Sequence, residues 1–138
     1  MSEIYIPPGG PPQGSPPSPE ILKILGEEGI RKLLSLHYKN LEETSIRDIF
    51  AKDMEQSAQR SADFFIQILG GTPYYSQKNG PPRMRQRHMP FEITEEARLI
   101  WLDCFRRAMD DLPFPQEYRK GFEDFLESFS AWMVNRKS

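Results

Sequence analysis

The chain reads as an all-α protein, and three observations carry that reading. Apolar residues recur at helical spacing from Ser18 to the end, no stretch alternates like a half-buried strand, and Gly and Pro punctuate the pattern where helices should stop. Ser18 is a good N-cap, and Pro19 fits the first helical position, where its missing N–H costs nothing. A short helix over Glu20–Leu25 should stop at Gly26, and a second should run from Glu27 to Glu43 with Ile30, Leu34, His37 and Leu41 on one face. Ser45–Phe50 reads as a turn of helix. A third helix, Met54–Leu69, ends at Gly70-Gly71 and turns Ala58, Ser61, Phe65 and Ile68 inward. Thr72–Pro82, with Pro73, Gly80, Pro81 and Pro82, reads as a loop, and Arg83–His88 has room for a turn or two before Pro90. Thr94 caps a helix to Leu112 that buries Trp101, Cys104, Phe105 and Ala108. The last helix, Gln116–Val134, carries the stripe Tyr118, Phe122, Phe125, Phe129 and Trp132. About five helices and one long loop result, and loops of that length in a compact domain are usually functional.

Residues 1–17 form a separate tail, and residues 18–138 the domain. Pro7, Pro8, Pro11, Pro12, Pro16 and Pro17 alternate with Gly9, Gly10, Gly14 and Ser15, so the tail has too little apolar surface to offset its ordering entropy and should be extended and disordered. Pro16–Pro19 also fits a P-x-x-P ligand for a proline-reading groove. Ile4, Tyr5 and Ile6 are the tail residues able to pack on the domain. Removing residues 1–17 takes away almost no periodic apolar surface and should change thermal stability and ligand binding little; a loss of several degrees would show that these three dock.

At 138 residues there is room for one ordinary domain, able to fold without a disulfide or a structural metal. A net charge of −2 offers no broad basic field, which argues against nucleic acid as the main partner. The single cysteine, Cys104, excludes an internal disulfide framework and any Cys-rich zinc site. No apolar run approaches the ~20 residues of a membrane span, and Glu3 with no following apolar core is unlike a secretory signal, so a soluble cytoplasmic protein is expected. There is no Ser–His–Asp arrangement, nucleophile elbow, Walker motif or dinucleotide glycine motif.

The unusual stretch is Arg83-Met84-Arg85-Gln86-Arg87-His88-Met89-Pro90-Phe91. By residue chemistry it is an exposed basic loop, an anion site, or the rim of a pocket at His88, where the arginines give way to apolar residues. His88 is then either a satisfied structural histidine or the one protein ligand of a metal that brings its other ligands along, as haem iron does.

From Leu22 to Val134 the chain resembles the group II truncated haemoglobins, short globins built two-over-two. Phe64–Phe91 carries the resemblance: Leu69-Gly70-Gly71, Pro73, Tyr75-Ser76, Gly80, then Arg83-x-Arg85-x-Arg87-His88-x-Pro90-Phe91. Thr94-Glu95-Glu96-Ala97-Arg98, Trp101-Leu102-x-Cys104, Gly26–Ile30 and His37-Tyr38 extend it. The resemblance implies haem b (iron protoporphyrin IX), with His88 as proximal iron ligand and Tyr38 and Trp101 hydrogen-bonding a diatomic ligand. It puts Phe50, or Ile49 if the connection is a residue shorter, against the distal haem face. Arg60 matches a position that pairs with a haem propionate, and Tyr75 and Arg87 are further candidates. Ser57, Ser61, Phe64 and Phe91 complete the expected lining. Departures are His37 for the usual Phe, expected to point with Leu34 and Leu41 into packing or into a hydrogen bond to the loop; Ser57 and Ser61 where Ala and Leu are frequent; and Asn79-Gly80-Pro81 where His-Gly-His is common. The function implied is reversible binding of dioxygen, nitric oxide or carbon monoxide. Nitric oxide dioxygenation or peroxide detoxification with a reductase partner is the enzymatic alternative, and a haem-free helical interaction module the non-haem one. A monomer or homodimer is expected.

Overall fold

Ser18 and Pro19 start the first helix as capping logic requires. The Ser18 hydroxyl accepts from the Glu20 N–H at 3.2 Å, and Pro19 already has helical angles. The computed structural model describes residues 4–12, 14 and 16–137; Glu3 and Ser15 of the tail lie outside the described residues. Helix α1 spans Glu20–Glu42 and is broken at Gly26, whose φ of 72° is open to glycine and strained for other residues. The two helices expected on either side of Gly26 are therefore the two arms of α1. Its buried stripe is Ile30, Leu33, Leu34, His37 and Leu41.

A 3-10 turn at Arg47–Ile49 leads to α2, Met54–Ile68, whose N-cap Asp53 accepts from the Gln56 N–H at 3.0 Å. Gly70 follows with φ 91°. A Cβ on Gly71 would lie 2.7 Å from Leu22 Cδ2 and 3.0 Å from the Ile66 carbonyl, so a bare backbone lets the end of α2 close against the first arm of α1.

The segment expected to be a loop contains a helix, α3, Tyr74–Asn79. Six residues cannot sustain a helix by propensity. Side chains from outside it hold it instead. Gln67 accepts from the Ser76 N–H at 2.9 Å and donates to its hydroxyl at 2.7 Å, and the Tyr74 hydroxyl donates to the Glu27 carboxylate at 3.1 Å. Lys78 meets the buried Asp63 carboxylate at 3.0 Å, opposite Arg31 at 2.8 Å. None of these long-range partners shows in a local pattern.

Helix α4 is Met84–His88; α5, Glu95–Asp110, is capped by Thr94, which accepts from the Ala97 N–H; α6 is Gln116–Met133. There are thus six α-helices rather than about five, and no strand among the described residues. Helix α1 packs on α2 and α5, and α6 on α5 and α4. Phe64–Phe129 and Phe65–Phe122 ring contacts join α2 to α6, which completes the two-over-two arrangement. Phe105 and Phe122 are fully enclosed where the layers meet, each worth roughly 2–3 kcal/mol of burial. The α6 stripe is turned slightly from expectation: Phe122, Leu126, Ser130 and Met133 are buried, while Phe125 and Phe129 are half-buried because they border a cavity or the edge of the core.

Among its described residues, the tail is tied to the domain by the backbone of Tyr5, and Pro17 is buried at its other end. The Tyr5 N–H donates to the Asn135 carbonyl at 2.9 Å, and the Tyr5 carbonyl accepts from Arg85 at 2.8 Å. Ile4 and Ile6 on either side are exposed. Removing residues 1–17 is therefore expected to lower stability by roughly 1–3 kcal/mol, the worth of two such bonds, rather than to leave it unchanged; thermal melts of full-length and shortened protein measure it.

Candidate functional site

The functional candidates converge on one hollow. A cavity of ≈ 450 Å³ opens between α2, α4 and α5, and Tyr38, Phe50, Ser57, Arg60, Ser61, Phe64, Tyr75, Arg87, His88, Phe91 and Trp101 all line it. That volume lies within the range of small-molecule and cofactor pockets. A smaller annexe of ≈ 70 Å³ adjoins it and shares Ile49, Phe50, His88, Trp101 and Phe129.

His88 is the last residue of α4. Its Nδ1–H donates to the Met84 carbonyl at 2.6 Å, one turn back, which leaves the lone pair on Nε2. Burial lowers its pKa below the ordinary histidine value, partly opposed by that hydrogen bond. The ring is a neutral imidazole at physiological pH, with its tautomer fixed in the form suited to ligate a metal through Nε2. Among the described residues no group of three His, Cys, Asp or Glu is placed to hold a bare metal ion, so any metal here must bring further ligands with it.

Tyr38, Ser61, Phe50 and Trp101 form a second wall. The Tyr38 and Ser61 hydroxyls are 2.7 Å apart. Burial raises the Tyr38 pKa, so the phenol keeps its proton as a donor. Phe50 meets the Tyr38 ring edge-on at 5.6 Å, and Ile49 also lines the cavity, so both residues weighed for this place reach it. Ser57 is buried one turn before Ser61. Tyr75 is buried, with the Arg87 guanidinium 5.4 Å over its ring; Arg87 also donates to the Asn79 carbonyl. Arg60, Arg87 and Phe91 are exposed at the cavity edge, which places two cations at its mouth. Met84 and Phe129, not among the sequence candidates, line it too. Phe129 belongs to a helical stripe, and periodicity alone does not tell a face that meets protein from one that meets a cavity.

His37 lies behind this wall, fully buried, with Trp101 edge-on at 5.0 Å and Phe105 at 4.2 Å. Its Nε2–H donates to the Trp101 carbonyl at 3.1 Å, a partner on α5 rather than the loop, while Nδ1 has no hydrogen-bond partner. Burial lowers its pKa to about 3. The unfolded chain takes up this proton near pH 6.5, whereas the fold refuses it until about pH 3. Below pH 6.5 the unfolded state therefore binds more protons, and stability falls as pH falls, by about 1.4 kcal/mol per unit. The His37→Phe variant is expected to lose roughly 2–3 kcal/mol less than the wild type between pH 8 and pH 4.5. Urea unfolding at both pH values measures this; parallel losses would contradict it.

The bacterial-like globin family matches residues 22–135. The group 2 truncated hemoglobin YjbI of Bacillus subtilis is 34% identical over 113 residues, covering 81% of this chain and 86% of that protein. Among solved structures, phosphate-bound Hell's gate globin IV superposes with a TM-score of 0.86 at 39% identity, covering 92% of this chain and 81% of that one. The group II truncated hemoglobin of Bacillus anthracis superposes at 0.82 with 31% identity, covering 91% and 96%. With a family match over most of its length and the two-over-two helices around an aromatic cavity, the chain belongs to the bacterial-like globins, as a group II truncated haemoglobin.

Proposed function

We propose that the cavity holds haem b and that the protein reversibly binds dioxygen and related diatomic ligands. The observation that carries this is His88: a half-buried, neutral imidazole with Nδ1 occupied by a backbone carbonyl and Nε2 left to ligate, on an aromatic cavity. When bound, haem supplies a ferrous iron that takes up diatomic molecules reversibly. The residues around it suit that group. Phe50, Phe64, Phe91 and Phe129 offer apolar faces to a flat macrocycle, and Arg60 and Arg87 stand at the mouth to meet its propionates, with Tyr75 beside Arg87. Tyr38 and Trp101 bring an O–H and an N–H to the same space, and Ser57 and Ser61 make its wall polar. These donors favour a ligand with partial negative charge, so they strengthen the hold on dioxygen more than that on carbon monoxide. The truncated haemoglobin of Bacillus subtilis, 34% identical to this chain, is described as oxygen-avid, in keeping with this reading.

The test is the visible absorption spectrum of the purified protein. An intense haem band that shifts on reduction and again on exposure to carbon monoxide or oxygen is expected. Protein that stays colourless after incubation with haem would overturn the proposal.

A further inference from the structure

The helix that carries His88 cannot hold itself in place. Helix α4 has five residues, no side-chain cap and no buried residue of its own. A helix this short is well below the length that persists unaided. Gly80-Pro81-Pro82 precedes it and Pro90 follows, so neither flank lengthens it into a longer α-helix. Yet a ligand side chain must be held to within roughly half an ångström to act.

Two side chains supply the hold. Asn135, just beyond α6, is fully buried, and all its polar groups are used. Its Nδ2 donates to the carbonyl of His88 at 3.2 Å and to that of Phe91 at 3.0 Å, and its Oδ1 accepts from the Ile93 N–H at 3.0 Å. Its own N–H donates to the Ile93 carbonyl at 2.9 Å, and its carbonyl accepts from the Tyr5 N–H at 2.9 Å. Arg85, one turn before His88, donates to the carbonyls of Trp132, of Val134 at 2.9 Å and of Tyr5 at 2.8 Å, with its guanidinium 4.5 Å over the Trp132 ring. The chain end after α6 and the tail segment at Tyr5 thus form a bracket around α4.

We propose that Asn135, assisted by Arg85 and closed by the tail at Tyr5, is a positioning residue that sets the orientation of His88 toward haem iron. The proposal rests on haem binding through His88. It assigns the end of the chain and the anchored part of the tail a role in tuning the ligand on the proximal side. An amide is required at 135. It presents two donors to carbonyls and one acceptor to an N–H, a pattern that the isosteric aspartate reverses at His88 and Phe91.

Two measurements test it. In the ferrous protein, the iron–histidine stretching band in the resonance Raman spectrum should shift or split in Asn135→Ala and Asn135→Asp, and in the same sense, less strongly, in Arg85→Lys and on deletion of residues 1–6. Leu126→Ala, which opens a void in the buried face of α6 away from the bracket, should lower stability and leave the band in place. In the haem-free protein, Asn135→Asp should speed hydrogen exchange at Met89 and Phe91, whose amides bond to Gln86 and His88, by about tenfold or more, without the same change in α2. An unmoved band with unaccelerated exchange overturns the bracket, as does a band that Leu126→Ala moves equally. Failure of the wild type to take up haem overturns the functional reading instead, and exchange still decides the bracket.

Discussion

Replacing His88 by alanine is expected to abolish stable haem retention. Disturbing a residue that merely orients a metal ligand typically costs 10–100-fold in affinity, and removing the ligand itself should cost more. The other histidine cannot take over: His37 is sealed behind Trp101 and Phe105 with its Nε2 committed to the Trp101 carbonyl. His37→Phe fills the same aromatic slot without opening a cavity and should retain haem fully; His37→Ala should also retain it where the protein still folds. Haem transfer to an excess of a haem-scavenging apoprotein, followed in the visible spectrum, separates the variants. The His88→Ala variant should lose haem at once and His37→Phe at the wild-type rate. Equal rates in both would show that His88 is not the ligand.

The boundaries of the long helices are legible in the sequence because local chemistry sets them: Ser18, Thr94, Gly26 and Gly70 act within a turn of where they stand. The short helix at Tyr74–Asn79 is not, because Gln67, Glu27 and Asp63 stabilise it from up to 47 residues away. The candidate residues of the cavity come from the resemblance, above all Arg83–Phe91, and not from periodicity. By spacing alone Trp101 belongs to a core stripe with Cys104 and Phe105, and only the three-dimensional packing opens space beside it. Asn135 carries no local signal. An asparagine near a chain end reads as surface, and its burial is the product of carbonyls and N–H groups brought to it by α4 and by the turn at Ile93.

The Trp101→Phe variant is expected to release dioxygen at least about tenfold faster. A hydrogen bond to a charged acceptor in an enclosed site is worth about 1.5–3 kcal/mol, which corresponds to roughly 10- to 150-fold in a rate limited by breaking it. Trp101 is well placed to give the full effect. Its ring is held by His37 at 5.0 Å and Phe105 at 5.3 Å, and its backbone by the His37 imidazole, so the indole N–H cannot swing away to water at small cost. Tyr38 is placed to give less. Its hydroxyl already has Ser61 at 2.7 Å, and whenever that bond uses the phenolic proton none is left for the ligand. Tyr38→Phe should therefore act in the same direction but more weakly, and Ser61→Ala, which frees the Tyr38 proton, should slow release rather than speed it. The double variant Trp101→Phe/Tyr38→Phe should change the rate by less than the product of the single effects, because both donors address one acceptor. Carbon monoxide, a poorer acceptor, should leave each variant at nearly the wild-type rate. Stopped-flow dissociation of both gases measures the set. If Trp101→Phe leaves oxygen release within a factor of about two, less than any bond of that strength allows, the indole does not hold the ligand, and the Tyr38–Ser61 pair carries that role alone.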